Sequence, residues 1–230
     1  MNFALDIHLL SDATFGRGDG VPGLVDVEID HDVATGLPMI RGRVLKGLLT
    51  EECGLLLYQA GIADGHALMR AAEALFGQSG SDLDSDGAAW IGPAQLPEDL
   101  RQAVRYAVLE ESKPALKLTR ERVLESLTAI RRQTANTETG VPEEGSLRSS
   151  RVLVRDITLS ADIEIVQRSG LDMALACALL GACAAALRRG GLGRNRGRGW
   201  LDCTLRDAAG KSVTQDCVTA FIQAAAGGAQ

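Results

Sequence analysis

The sequence predicts an α+β sandwich built as a single domain over residues 1–230, and three observations carry that reading. Strand-like alternation recurs at the start, middle and end of the chain, and helical periodicity fills the intervals between. The 230 residues are 46% hydrophobic and 23% charged, a packed globular composition at a length that suits one core with insertions better than two full domains.

FALDIHLL (3–10) partly alternates, with Asp6 and His8 on one face, and is predicted to be a strand. After the glycine-rich loop FGRGDGVPG (15–23), LVDVEIDHD (24–32) places Val25, Val27 and Ile29 on one face and Asp26, Glu28 and Asp30 on the other, which predicts a second strand with an acidic outer face. GLPMIRG is turn chemistry, and apolar spacing from Val44 to Leu57 predicts the first helix. ADGHALMRAAEALFG (63–77) reads as an amphipathic helix with Asp64 as N-cap and Gly77 as its stop; QSGSDLDSDG reads as a linker. A short strand at AAWIGPAQL precedes a helix over 96–112, with Pro97 at its start and carboxylates in its first turn. Residues 113–150 are polar and basic around the turn-rich TANTETGVPEEGS and read as an inserted hairpin or lobe. RVLVRDITLSADIEIV (151–166) is the strongest strand signal, followed by an Ala-rich helix (171–189) and a last strand at 200–208. This order is compatible with a ferredoxin-like or RRM-like sandwich carrying a helical lobe at about 60–112 and a hairpin at 113–150.

Composition narrows the function classes. Five widely spaced cysteines, without a Cys-x-x-Cys pair or a His cluster, argue against zinc and against a disulfide framework. LDMALACALLGACAAAL (171–187) is short for a membrane span and is expected to be a buried helix; MNFALDIHLLSD lacks the pattern of a signal peptide. The expectation is a soluble cytoplasmic chain with no membrane partner. Aromatics are 3%, so any hold on nucleic acid must rest on charge and backbone contacts more than on stacking.

Against a net charge of −6, RRGGLGRNRGRGW (188–200) stands out. Gly190 and Gly191 suit a helix C-cap, and Arg188 and Arg189 suit the helix dipole. Arg194, Arg196 and Arg198, alternating with residues that let a backbone approach closely, point instead to phosphate binding. GLPMIRGRVLKG gathers Arg41, Arg43 and Lys46 around Gly42 where a loop enters a helix; an anion site and an ordinary solvated helix start both fit. Asp26, Glu28, Asp30 and Asp32 read as a wet strand face in preference to a hard-cation site, and His8, His31 and His66 lack metal-ligand spacing.

Taken in order, FGRGDGVPGLVD, TGLPMIRGRVLKGLL, TETGVPEEGSLRSSRVLVRDITLSADIEI and GGLGRNRGRGW resemble the RAMP superfamily of CRISPR effector proteins, over most of the chain. The pattern Asp26, Asp32, Thr35, Pro38, Gly42 and Leu45-Lys46-Gly47 resembles the backbone subunits of type III complexes. The resemblance implies a subunit that binds CRISPR guide RNA, stacks with further copies, paralogues or other effector subunits, and cuts complementary target RNA. It makes Asp26 the catalytic residue and a ligand of a divalent metal, Mg or Mn. It implies guide contacts from Arg41, Gly42, Arg43, Lys46, Gly191, Arg194, Arg196 and Arg198. It also makes 131–150 a thumb that interrupts the guide–target duplex, with Arg131 and Arg132 at its base. Where such subunits carry Pro-Gly-Ser-Ser before Leu-Lys-Gly, this chain has Arg41-Gly42-Arg43-Val44, which also fits a less common type III variety or the related subunit capping the guide 5′ end. Cleavage requires in-line attack of a 2′-hydroxyl on the adjacent phosphate, with Asp26 placing a metal or assisting proton transfer and His31 a further candidate base. Alternatives are a purely structural RAMP subunit, a processing nuclease for the guide precursor, and a generic RRM-like binder.

Overall fold

The computed structural model describes residues 1–77, 87–135, 137, 139–141 and 143–227; most of the linker expected at 78–87 lies outside them. The elements run β1 (Asn2–Leu9), α1 (Gly42–Gln59), α2 (Ala67–Phe76), β2 (Ala89–Ile91), α3 (Glu98–Arg105), α4 (Arg120–Leu127), β3 (Thr128–Gln133), β4 (Arg148–Leu153), β5 (Thr158–Ile165), α5 (Met173–Ala186), β6 (Leu201–Asp207) and α6 (Thr214–Gly227). The main sheet has the order β2-β5-β1-β6, antiparallel throughout, with Leu5 opposite both Ala161 and Leu205. With α1 and α5 as its crossovers, β1-α1-β2-β5-α5-β6 is the ferredoxin-like arrangement, so the α+β sandwich is as the sequence predicts. The short strand at Ala89–Ile91, within the 60–112 stretch, is the fourth strand of that sheet.

The two faces of the sheet differ in chemistry. Leu5, Ile7, Leu9, Leu159, Ile163 and Leu205 are wholly buried on the helix side, each worth about 1.5–3 kcal/mol of burial. The open side carries Asp6, Asp162, Glu164 and Asp202 against Arg206, which pairs with Asp6 at 2.6 Å, and an exposed Trp90. It is the wet face of a half-buried sheet, and it is acidic. α5 is apolar nearly all round, as a helix covered on several sides must be. On one side it meets α1, and on the other α6, whose Cys217 lies over Gly181.

Four expectations change. LVDVEIDHD is not a strand: residues 25, 27, 29 and 31 make only isolated bridges to four different segments. RVLVRDITLSADIEIV is two strands, because the chain turns at Asp156 (φ 65°); β4 pairs with β3 in a separate hairpin, and only β5 joins the main sheet. The 96–112 helix ends as α at Arg105 and continues as one π-helical turn, Tyr106–Glu110. The 63–77 helix starts at Ala67, capped by His66, whose Nδ1 accepts from the Leu68 N–H at 3.0 Å, and not after Asp64. The sequence reading ended at 208 and missed α6, which buries Phe221.

Candidate functional site

The loop after β1, the Asp26 segment, one side of α1 and the start of the arginine-glycine loop enclose a groove of about 510 Å³. It brings together four of the residues singled out from the sequence, Asp26, Arg43, Gly191 and Arg194, from three separate parts of the chain. Local backbone chemistry builds each wall. Gly191 has φ 81°, and a Cβ there would stand 2.5 Å from the Thr14 carbonyl, the same carbonyl that accepts from Leu192 N–H at 2.8 Å. The arginine-glycine loop is thereby stitched to the loop that follows β1.

On α1, Arg43, Gly47 and Glu51 follow at four-residue intervals and so share one stripe, all three lining the groove. Gly47 is exposed, nothing lies within 4 Å of where its Cβ would be, and its φ is unremarkable; Gly54, further along the helix, shares these features but does not line the groove. A mid-helix glycine costs about 1 kcal/mol relative to alanine, and nothing within the chain offsets that cost. The absent side chain leaves bare helix backbone on the groove wall between a cation and an anion.

Asp26 is held by the β3–β4 hairpin. Its Oδ2 accepts from the Ser149 N–H at 2.6 Å and from the Ser149 hydroxyl at 2.9 Å, and no other residue among those described donates to Oδ1. The Ser149 amide, then its hydroxyl, hold the Asp26 carboxyl below the ordinary carboxylate range; slight desolvation opposes them and the charge of Arg148 adds to them. An exposed, ionised carboxylate so held is a good charge and a poor proton acceptor.

Of the other carboxylates of this segment, Glu28 and Asp30 are buried and so not part of a wet face, while Asp32 is exposed. Glu28 is 2% exposed and pairs with buried Arg151 at 2.8 Å; Arg151 also donates to Thr128 Oγ1 at 3.2 Å. Asp30 is buried and takes Arg41. Asp32 Oδ1 accepts from Thr35 N–H at 2.8 Å, Thr35 Oγ1 at 2.9 Å and Ala34 N–H at 3.0 Å, closing the turn before α1. His31 binds the Ile29 carbonyl through Nδ1 at 3.3 Å and lines a different hollow, on the Glu28–Arg151 side, so it does not join Asp26.

The predicted cations divide. Arg43 lines the groove, exposed and without an ion pair among the described residues; Lys46, next to the stripe, is half-buried and likewise unpaired. Arg194 reaches the groove but is held by Glu51 in a two-point contact, Nη1–Oε2 2.9 Å and Nη2–Oε1 2.7 Å. Arg41 faces Asp30, and Arg131 is taken by Asp12 at 2.7 Å. Arg198 donates to Ser150 Oγ at 3.2 Å, while Arg196 and Arg148 line a second hollow of about 630 Å³ beside the hairpin. Arg132 lies on β3 opposite Ser149, exposed. Gly42 has an internal reason to be glycine, because a Cβ there would stand 1.9 Å from the Ile91 carbonyl. Sequence reasoning missed Ser149, Glu51 and Arg148 as parts of this surface; Gly47 stood in the Leu45-Lys46-Gly47 motif but was given no contact of its own.

Among the described residues no three His, Cys, Asp or Glu side chains gather as a metal cage. Asp19 and Glu51 share the groove with Asp26, but each is paired with an arginine. The donor set fits a Mg²⁺-like ion held by one carboxylate with water and phosphate oxygens, and does not fit an all-protein site.

Among the described residues no helix is long and apolar enough to cross a membrane. The family model of the RAMP superfamily matches residues 6–202. Among solved structures, a chain of the type III-B Cmr-beta complex bound to cognate target RNA superposes with a TM-score of 0.61 at 11% identity, covering 95% of this chain and 99% of that one. A chain of the apo Cmr-beta complex gives 0.59 at 12% identity, covering 95% and 99%, and one of a type IV-B CRISPR complex gives 0.56 at 15%, covering 91% and 92%. No curated protein matches in sequence.

Proposed function

The chain belongs to the RAMP superfamily, and from that premise we propose that it is a guide-RNA-binding backbone subunit of a type III CRISPR effector that also cuts complementary target RNA at Asp26. The observation that carries the proposal is the groove itself. It joins a held, ionised carboxylate to an arginine without an ion pair among the described residues and to a stretch of bare helix backbone on α1. RRM-type modules bind RNA on the open sheet face by stacking on aromatics, and here that face carries four carboxylates and one tryptophan. RNA is therefore assigned to the loop end, with Arg43, Lys46 and Arg194 on one side and Arg132, Arg148, Arg196 and Arg198 toward the hairpin.

In the proposed reaction the β3–β4 hairpin acts as the thumb that displaces one target nucleotide, freeing its 2′-hydroxyl to attack the adjacent phosphate in line. The O2′–P bond forms a 2′,3′-cyclic phosphate as the P–O5′ bond breaks; the 2′-hydroxyl proton passes to water and the leaving 5′-oxygen takes a proton from water. Arg43, the free cation of the groove, neutralises charge developing on the phosphate oxygens. Asp26, held ionised by Ser149, supplies a fixed negative charge at the groove edge. A divalent cation, Mg or Mn, bound by Asp26 and RNA phosphate oxygens would add Lewis acidity there. The partners in this reading are guide RNA, target RNA and other effector subunits.

The test is Asp26→Ala in the assembled complex with Mg²⁺ or Mn²⁺ present. Loss of target cleavage with guide binding and assembly retained is the expected result, and cleavage equal to the parent overturns the catalytic assignment. The second reading, a non-catalytic structural subunit, is favoured by the absence of a histidine beside Asp26 and predicts a parent complex that binds target without cutting it.

A further inference from the structure

Three consecutive residues of β4 hold three different parts of the groove region. Ser149 takes Asp26, Ser150 takes Arg198 of the arginine-glycine loop, and Arg151 takes Glu28 beneath the Asp26 segment. The Ser149 contact is reciprocal. Its N–H and hydroxyl donate to Asp26 Oδ2 at 2.6 and 2.9 Å, its carbonyl accepts from the N–H groups of Asp26 and Val27 at 3.0 and 3.2 Å, and its Oγ lies 3.2 Å from Asp26 N. Two residues further, Arg151 N–H returns a bond to the Val27 carbonyl at 3.0 Å. Asp26 belongs to no strand of its own, and the residues before it form a turn closed on Val21. Its position is thus dictated by β4, which is one arm of the hairpin, with Arg132 of β3 directly opposite Ser149.

We propose that Ser149 is a positioning residue that fixes the Asp26 carboxylate to the hairpin, so that cleavage depends on how the hairpin is seated. This rests on the reading of Asp26 as the cleaving residue. Both donors of Ser149 are spent on Oδ2, which ties that oxygen to β4, and no other described residue donates to Oδ1 of this groove-lining carboxylate. A hairpin shifted by the RNA strands it meets carries Ser149, and with it Asp26, relative to Arg43 on α1. The carboxylate and the cation are anchored on different elements, and the hairpin sets their spacing.

The experiment measures single-turnover cleavage by the assembled guide-bound complex at saturating target, for Ser149→Ala, Ser149→Thr and Asp26→Ala. Ser149→Ala removes the hydroxyl and leaves the backbone bonds in place. It is expected to slow the cleavage step about tenfold, the factor that one hydrogen bond to a charged group is worth, with target affinity unchanged. Ser149→Thr restores the hydroxyl and is expected to return the rate to within about twofold, on the same hydrogen-bond scale. A merely structural role would instead move target binding and cleavage together. If Asp26→Ala is inactive while Ser149→Ala cuts like the parent, the positioning role is overturned and the nuclease reading stands. If Asp26→Ala itself cuts like the parent, the nuclease reading fails and the positioning role falls with it.

Discussion

Replacing Glu28 by Ala tests the anchoring of the candidate site directly. Glu28 and Arg151 have side chains only 2% and 8% exposed, and among the described residues Arg151 finds no second carboxylate; Thr128 Oγ1 at 3.2 Å is a further side-chain partner. Deleting Glu28 strands a guanidinium in the interior and removes the acceptor of the Ile29 N–H at 3.0 Å. Breaking one side of a buried pair costs about 3–5 kcal/mol. For a chain of this length each kcal/mol lowers Tm by about 2–4 °C, so the expected fall is roughly 6–20 °C. The informative comparison is the double variant Glu28→Leu with Arg151→Met, in which no charge is left unpaired and most of the loss should disappear. Thermal unfolding followed by circular dichroism on the parent, Glu28→Ala, Glu28→Leu, Arg151→Met and the double variant gives the numbers. Hydrogen exchange at residues 24–28 and 149–153 should rise together in Glu28→Ala, since the pair joins those segments. A Tm within about 2 °C of the parent for Glu28→Ala, or single losses that simply add in the double variant, would refute the anchoring role on the scale just used.

Two further predictions concern the groove. Glu51→Gln should free Arg194 and raise affinity for single-stranded RNA, with the salt slope steeper by about 0.7 for one added phosphate contact; filter binding across a salt series that shows no steepening counts against Arg194 as a latent phosphate ligand. Acid should act in the same direction. The Arg194 hydrogen bonds hold the Glu51 carboxyl below its ordinary value of 4.5, so the pair is intact above that pH and is lost as pH falls through the lowered value. Gly47→Ala and Gly42→Ala should separate a glycine needed by RNA from one needed by the fold. The first should stabilise the chain by up to about 1 kcal/mol while weakening RNA binding. The second, whose Cβ meets the Ile91 carbonyl at 1.9 Å, should destabilise by about 1–3 kcal/mol; chemical denaturation with parallel RNA binding checks both.

The sheet and its crossover helices were legible because their signals are local: burial alternates along β5 at every residue, and α5 is apolar throughout. The division of 151–166 was also written there. The apolar positions change parity between Val154 and Ile157, and a single strand cannot do that without turning its buried side outward. α6 left a trace in the apolar spacing of Val213, Cys217 and Phe221. The acidic segment misled for a physical reason. Its alternation is real, but its carboxylates are matched to Ser149, Arg151 and Arg41, and no periodicity within 24–32 reports a partner up to 123 residues away. The same distance hid Ser149 and the Glu51–Arg194 pair, leaving the arginine-glycine loop with less free charge than its sequence suggests.

The acidic open sheet face gives the protein an electrical polarity. A chain of net charge −6 would repel a polyanion if its charge were spread evenly. On the proposed reading, the four carboxylates of the open sheet face and the arginines of the groove and hairpin give an approaching RNA strand a preferred orientation, with the arginine rim first. The acidic face then acts as a filter on orientation, discarding encounters on the surface where related folds would hold RNA and funnelling the productive ones into the groove. Raising the ionic strength should therefore erode the selectivity of the encounter as well as its affinity.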